Sequence, residues 1–319
     1  MTMREQAREI RQVTSLSEIS DHYDAILCDI WGVLHNGVES FAAASKALAS
    51  FRSRGGAVVL ITNAPRPSAP IRPQLLKLGV MPEAFDAIAT SGDVTIELIV
   101  ERIVDPVLHI GPPRDLSLFE AAAEAAGRQP SLVALEDARY ALCTGLRDDQ
   151  IETPDSYETE LHALAARAMT LICANPDIVI HRGETLVYCA GALARRYEQL
   201  GGSVIYAGKP YPPIYTRALA LAEQARGAPV DRRRVLTVGD GMKTDIAGAA
   251  SGARRASRHP WNSSGGVAWG HARPSGGPGR TAAPVRRIFA LAGRGDRRAS
   301  GVIGRSRPNA FAQRLISKY

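Results

Sequence analysis

Residues Asp24-Ala25-Ile26-Leu27-Cys28-Asp29-Ile30 form a short apolar run with a carboxylate near its end, and this feature limits the fold more than any other. A run that shows no polar alternation is buried on both faces, which is the condition of a strand inside a parallel sheet. The carboxyl end of such a strand opens onto the ligand side of the sheet, so Asp29 is at once a candidate functional group. The next segments keep the pattern. Residues 31–39 read as a loop, and residues 40–54 place Phe, Leu and Ala at helical spacing before stopping at Gly55-Gly56. Residues 57–61 are a second apolar, β-branched run, ending at Thr62-Asn63, and a Pro-rich entry at residues 64–67 leads into a helical stretch that reaches Leu78.

Strand, helix, strand, helix in this order predicts an α/β fold with a Rossmann-like, doubly wound parallel sheet and ligands gathered at the strands' carboxyl ends. Residues 86–92 supply a third strand and turn. Further α/β alternation follows, with strands expected at Val107-Leu108-His109-Ile110, Tyr140-Ala141-Leu142-Cys143 and Thr170-Leu171-Ile172-Cys173, and Ala-rich helices between them, one over residues 157–167. A second, inserted domain fits this stretch. Beyond Gly208-Lys209-Pro210, a helix over 214–226 leads to a strand at 234–238 that ends in Gly239-Asp240, and helical spacing resumes at 244–250.

Composition narrows the class. The chain has 319 residues, 45% hydrophobic and 22% charged, values of an ordinary folded protein with one large or two unequal domains. No apolar run approaches the ~18 residues of a membrane helix. The start, Met1-Thr2-Met3-Arg4-Glu5-Gln6, lacks the pattern of a signal peptide, so a cytoplasmic location without membrane partners is expected. Cys28, Cys143, Cys173 and Cys189 lie far apart with no C-x-x-C pair, which indicates buried thiols and neither a zinc site nor a disulfide framework. The net charge of +7 is uneven: residues 254–319 carry +13 and the first 253 residues −6. Nucleic acid is therefore not expected as a partner of the body, only of the tail.

Four landmarks stand at expected strand ends: Asp29, Thr62-Asn63, Lys209, and Asp240 with Asp245. A carboxylate nucleophile, a hydroxyl and amide, a cation and a second pair of carboxylates can together attack, hold, neutralise and metallate a phosphate. In this order the chain resembles the haloacid dehalogenase (HAD) superfamily, whose four motifs are matched by Cys28-Asp29-Ile30-Trp31-Gly32-Val33, Ile61-Thr62-Asn63, Gly208-Lys209-Pro210 and Gly239-Asp240-Gly241-Met242-Lys243-Thr244-Asp245. The long segment between the second and third motifs, with Cys173-Ala174-Asn175-Pro176-Asp177 and Gly191-Ala192-Leu193, looks like the class IIA branch of NagD-like phosphatases with an α/β cap.

The resemblance implies a core over residues 1–87 and 204–253, a cap over 88–203 and an irregular tail over 254–319. It implies a hydrolase that frees phosphate from a small phosphorylated metabolite through an aspartyl-phosphate on Asp29. Mg²⁺ would be held by Asp29, the backbone carbonyl of Trp31, Asp240 and Asp245; Thr62, Asn63 and Lys209 would bind phosphate, with Lys209 catalytic beside Asp29. Trp31, His35, Asn175 and Asp177 are the candidates for substrate contact, and a homodimer through the cap is compatible with the branch.

One position departs from the pattern. The family has a second aspartate two residues after the nucleophile, the acid for the leaving group and then the base for water, but residue 31 is Trp. Losing such a group costs ~10²–10⁴ in rate, so slow turnover is expected unless a substitute such as His35 exists or the leaving group, aryl or acyl, needs no proton. The other reading is a phosphate-ester binder with little or no catalysis. Arg66 reads as a surface residue near the phosphate site, and Asn175-Pro176-Asp177 reads equally as an Asx turn. The tail, rich in Gly, Pro, Ser and Arg, reads as a disordered basic extension or as a shifted reading frame that has replaced the last core strand.

Overall fold

The computed structural model describes residues 13–182 and 185–252, so both readings of the tail lie outside the described residues. Strand β1 (Ala25–Asp29) is followed by α1 (Ala42–Ser53), β2 (Ala57–Thr62), α2 (Ile71–Lys77), β3 (Ala87–Thr90) and α3 (Ser91–Glu101). Next come β4 (Val107–Ile110), α4 (Ser117–Ala126), β5 (Tyr140–Cys143), α5 (Glu158–Ala166), β6 (Thr170–Cys173), the strands β7 (Val179–Arg182) and β8 (Thr185–Tyr188), α6 (Ala190–Gln199) and β9 (Ser203–Tyr206). Helix α7 (Pro212–Arg226), β10 (Val235–Val238), a π-helical turn (Met242–Ile246) and α8 (Ala247–Gly252) complete the described chain.

Two parallel four-stranded sheets result, ordered β10-β1-β2-β3 and β4-β5-β6-β9, with β7 and β8 paired apart as an antiparallel hairpin. In the first sheet Ala25 lies opposite both Ala57 and Val235, and Thr62 lies opposite Thr90. From β1 the chain moves one way to β2 and β3 but returns to β10 on the other side. The crevice between the carboxyl ends of β1 and β10 is thus a topological switch point, where open α/β sheets bind ligands.

The alternation of side chains decides the packing. Ala25, Leu27, Ala57, Val59 and Ile61 join one buried cluster, and Ile26, Cys28, Val58 and Leu60 join another. Each strand therefore serves two cores at period two, which is why no polar residue interrupts it. On one face α1 and α2 contribute Leu48, Phe51, Ile71 and Leu75. On the other, α3, α4 and α7 contribute Leu98, Ile99, Phe119, Ile214 and Ala218, and the same cluster takes in Tyr140, Leu142 and Ile172 of the second sheet. One helical layer is shared by both sheets, and each fully buried Leu, Ile or Phe in it contributes about 1.5–3 kcal/mol.

Sheet pairing moves both expected domain boundaries. A boundary at 87/88 cuts β3, which pairs with β2 of the first sheet, and one at 203/204 cuts β9, which pairs with β6 of the second. Short apolar strands give no sign of which sheet they join. The turn from β3 into α3 is set by a capping box: Thr90 Oγ1 accepts from Asp93 N–H at 2.8 Å while Asp93 Oδ2 accepts from Thr90 N–H at 3.3 Å. Where helical spacing was expected over 244–250, a π-helical turn precedes α8, a device that often re-aims side chains at a site.

Candidate active site

Strand β1 ends by delivering Asp29, 8% exposed, into the crevice. Its Oδ1 accepts from the N–H of Ile30 at 2.7 Å and faces Nζ of Lys209 at 2.7 Å. Both contacts fall on Oδ1, which leaves Oδ2 without a donor among the described residues. Lys209 is 4% exposed, and its ammonium also donates to Oδ1 of Asp245 at 2.8 Å. Asp245 is fixed in turn: its Oδ2 accepts from Gly241 N–H at 3.2 Å and from Thr244 Oγ1 at 3.1 Å. Asp240, exposed, follows β10 and lies against Gly32 of the loop after β1. A Cβ at position 32 would stand 2.1 Å from Asp240 Oδ2, and φ there is +79°, so glycine is required on both counts.

Asp29, Asp240 and Asp245 can each offer a carboxylate oxygen within 4.8 Å of the other two. One ammonium contacts two of these three carboxylates, Asp29 and Asp245. Burial, with the charge of Asp245 adding to it and Lys209 opposing, pushes the Asp29 carboxyl up to about 7. Burial first and Asp245 second raise Asp240 as well. For Lys209 burial alone would favour the neutral amine, but Asp29 and Asp245 outweigh it and hold the ammonium above its ordinary range. Excess negative charge on oxygen donors alone is the chemistry of a hard divalent cation, so the residues present fit Mg²⁺.

The carboxamide of Asn63 joins three segments: Oδ1 accepts from Lys209 N–H at 2.7 Å, and Nδ2 donates to Lys209 O at 3.2 Å and to Asp177 Oδ1 at 3.0 Å. Gly208 makes room for this, since a Cβ there would lie 2.4 Å from Asn63 Oδ1. Thr62 Oγ1 accepts from Ala64 N–H at 3.2 Å. Asp177 is half-buried beside the site, while Asn175, 7% exposed, spends its Oδ1 on Asp177 N–H as an Asx turn and so offers a substrate little surface.

The loop after β1 folds on itself. Gly32 N–H donates to His35 O at 2.9 Å, and Gly37 N–H donates to His35 Nδ1 at 3.0 Å. The imidazole is 4% exposed and burial lowers its pKa, so His35 packs inside the loop and offers a substrate little surface. Trp31, by contrast, is 48% exposed; its ring meets that of His35 edge-on, with centroids 5.4 Å apart. Arg66 is exposed. Sequence reasoning passed over Gly32, whose need is visible only once Asp240 is placed against it, and Tyr215, whose hydroxyl contacts Thr244 O at 3.4 Å. Tyr215 lies on the apolar stripe Ile214, Tyr215, Ala218, Ala222, so its spacing signals only a core residue.

A family model described as haloacid dehalogenase-like hydrolase matches residues 26–124, and one described as HAD-hydrolase-like matches residues 206–255. The chain is 47% identical to a solved haloacid dehalogenase-like hydrolase from Brucella suis 1330, covering 74% of this chain and 85% of that one with a TM-score of 0.68. The fold is shared with 4-nitrophenylphosphatase from Thermotoga maritima (21% identity, 73% and 84% covered, TM-score 0.56) and with NagD from E. coli K-12 (23%, 72% and 85%, 0.54). No curated protein matches the chain.

Proposed function

The chain belongs to the haloacid dehalogenase-like hydrolases, and from that premise we propose that it is a Mg²⁺-dependent phosphatase acting on a small phosphate ester through Asp29. The observation that carries this reading is the ladder Asp29, Lys209, Asp245 with Asp240 beside it, at the switch point of the first sheet. Names of related proteins, 4-nitrophenylphosphatase among them, point the same way.

Asp29 is the nucleophile. Its Oδ1 is held by Ile30 and Lys209, and Oδ2 attacks phosphorus in line, forming an aspartyl-phosphate as the ester oxygen leaves. Lys209 offsets the repulsion between the carboxylate and the incoming phosphate. Its own position is over-determined by Asn63 on the main chain and by Asp245 at the ammonium, so little reorganisation is needed when charge builds up. Thr62 Oγ1 and the Asn63 backbone N–H hold phosphoryl oxygens. Asp29, the Trp31 carbonyl, Asp240 and Asp245 would hold Mg²⁺, which supplies charge neutralisation of the phosphoryl oxygens when bound. Asp177 ties the cap to the Asn63 and Lys209 pair.

The test is phosphate release from p-nitrophenyl phosphate and a panel of small phosphate esters, with and without Mg²⁺, by the wild type and Asp29→Asn. Metal-dependent release that the substitution abolishes supports the phosphatase. Folded protein that binds these esters yet releases no phosphate overturns it and points to a binding protein.

A further inference from the structure

We infer that the site selects phosphate esters whose leaving group is planar and departs without a proton, aryl phosphates above all, and that Trp31 makes the selection; this rests on the phosphatase reading above. Two independent observations carry it: an indole at position 31, where the family pattern has its acid, with His35 buried behind it, and the half-exposure of that ring, braced in place two residues from Asp29.

Most of the titratable neighbours are buried or bonded to one another. His35 is 4% exposed and its ring is closed off edge-on by Trp31. Lys209 lies between Asp29 and Asp245. Asp240 and Asp245 belong to the carboxylate trio, and Asp177 Oδ1 accepts from Asn63 Nδ2. Tyr215 is buried with its hydroxyl toward Thr244 O. An alkoxide leaving group would have to depart unprotonated, whereas a phenolate is stable enough to do so.

The ring two residues past the nucleophile in sequence suits such a group. Trp31 is held edge-on by His35, which the Gly32 and Gly37 N–H groups hold in turn, and it lies over Gly37, where a Cβ would stand 2.5 Å from Cη2. Its orientation is therefore set before a ligand arrives, and nearly half of its surface stays open. An aryl ring stacks on the indole at little entropic cost.

In the first step the bond from Asp29 Oδ2 to phosphorus forms as the bond from phosphorus to the aryl oxygen breaks, and the phenolate leaves with the electron pair, to be protonated by bulk water. In the second step water attacks phosphorus, the bond to Asp29 breaks, and inorganic phosphate leaves with the water oxygen while the spare proton passes to solvent. No side chain assists that water either, so the second step is slow and common to all substrates.

The experiment uses the full chain with Mg²⁺ and a series from p-nitrophenyl through phenyl to alkyl phosphates, with Trp31→Asp and Trp31→Phe alongside. The wild type should show a burst of about one phenolate per protein. Its kcat should be flat across the aryl esters, and kcat/KM for alkyl esters should lie at least ~10²-fold below that for p-nitrophenyl phosphate. Trp31→Asp should narrow that gap, and Trp31→Phe should keep it with a modest rise in KM. Alkyl and p-nitrophenyl esters cleaved within about tenfold of each other by the wild type would overturn this inference and leave the phosphatase standing. Failure to release phosphate from any ester in the series would overturn both.

Discussion

The side chain of Asn63 and the peptide of Lys209 form a closed pair across 146 residues of sequence, Oδ1 accepting from the Lys209 N–H and Nδ2 donating to the Lys209 carbonyl. The pair is buried and joins the end of β2 to the turn that carries the buried ammonium. Asn63 therefore acts on Lys209 through its side chain, while its backbone is the part expected to meet phosphate. Both uses require an amide: a carboxylate has no donor for the Lys209 carbonyl or for Asp177.

Asn63→Asp should accordingly be worse than Asn63→Ala. Truncation leaves the Lys209 peptide groups unpaired in a buried place, at about 1–3 kcal/mol, whereas Asp also sets a negative charge against Asp177. Urea unfolding of the two variants checks the order. Equal stability of Asn63→Asp and wild type would show that the pair contributes little.

Lys209→Met keeps most of the volume and removes the charge. Three carboxylates then face one another with no cation, which costs about 3–5 kcal/mol as for other broken buried pairs. Mg²⁺ should recover much of that loss, so the metal-induced rise in Tm should be larger in Lys209→Met than in wild type. A smaller rise would mean that Lys209 helps to hold the metal.

Because Asp29 is held up to about 7, a cation must displace a proton from it at lower pH. Mg²⁺ affinity should be flat above pH 7 and fall by about tenfold per unit below it. Titration calorimetry across this range, in buffers of differing ionisation heat, reads both the slope and the proton released. The dependence should vanish in Asp29→Asn.

How much of this was legible beforehand follows from the physics of each residue. Strands β4, β5 and β6 lie on the expected apolar runs, because a run of four residues between Ala-rich helical stretches is too short for a buried helix. The hairpin of β7 and β8 was not read. Ile180, Leu186 and Tyr188 are 37–52% exposed and Val187 alone is shown buried, so its apolar run is mostly not a core run. The acids and Lys209 could be picked out from strand ends alone. Their mutual contacts could not, since the partners lie more than thirty residues apart in sequence, as Lys209 and Asp245 do. His35 read as a possible acid from its loop position. Only the fold shows the ring buried, 4% exposed, against Trp31.

At the end of β4, His109 Nε2 pairs with Thr144 Oγ1 at 3.1 Å and its ring meets Phe119 edge-on. Burial first, and the charge of Arg147 second, bring its pKa from 6.5 down to about 4. Above pH 6.5 folded and unfolded chains both hold it neutral. Between 6.5 and 4 only the unfolded chain takes up the proton, so stability falls as pH falls, by about 1–3 kcal/mol in all after allowance for its partial exposure. His109→Gln keeps a partner for Thr144 and should flatten this part of the stability profile. An unchanged slope would assign the loss to the carboxylates.

Gly32 and Gly55 separate backbone strain from damage to the site. Both have positive φ, +79° and +88°, so alanine is strained at either, at about 1 kcal/mol. At Gly55 a Cβ meets nothing within 4 Å; at Gly32 it would strike Asp240 Oδ2 at 2.1 Å. The backbone there belongs to the loop that Gly32 N–H closes on His35 O, so Asp240 is the group that must move. Gly55→Ala should lower Tm by a few degrees and leave Mg²⁺ affinity and kcat unchanged. Gly32→Ala should weaken Mg²⁺ binding by at least about tenfold, with kcat falling alongside, because the displaced carboxylate completes the trio. Wild-type Mg²⁺ affinity in Gly32→Ala would mean that Asp240 is not a ligand, and would move the metal toward Asp29 and Asp245.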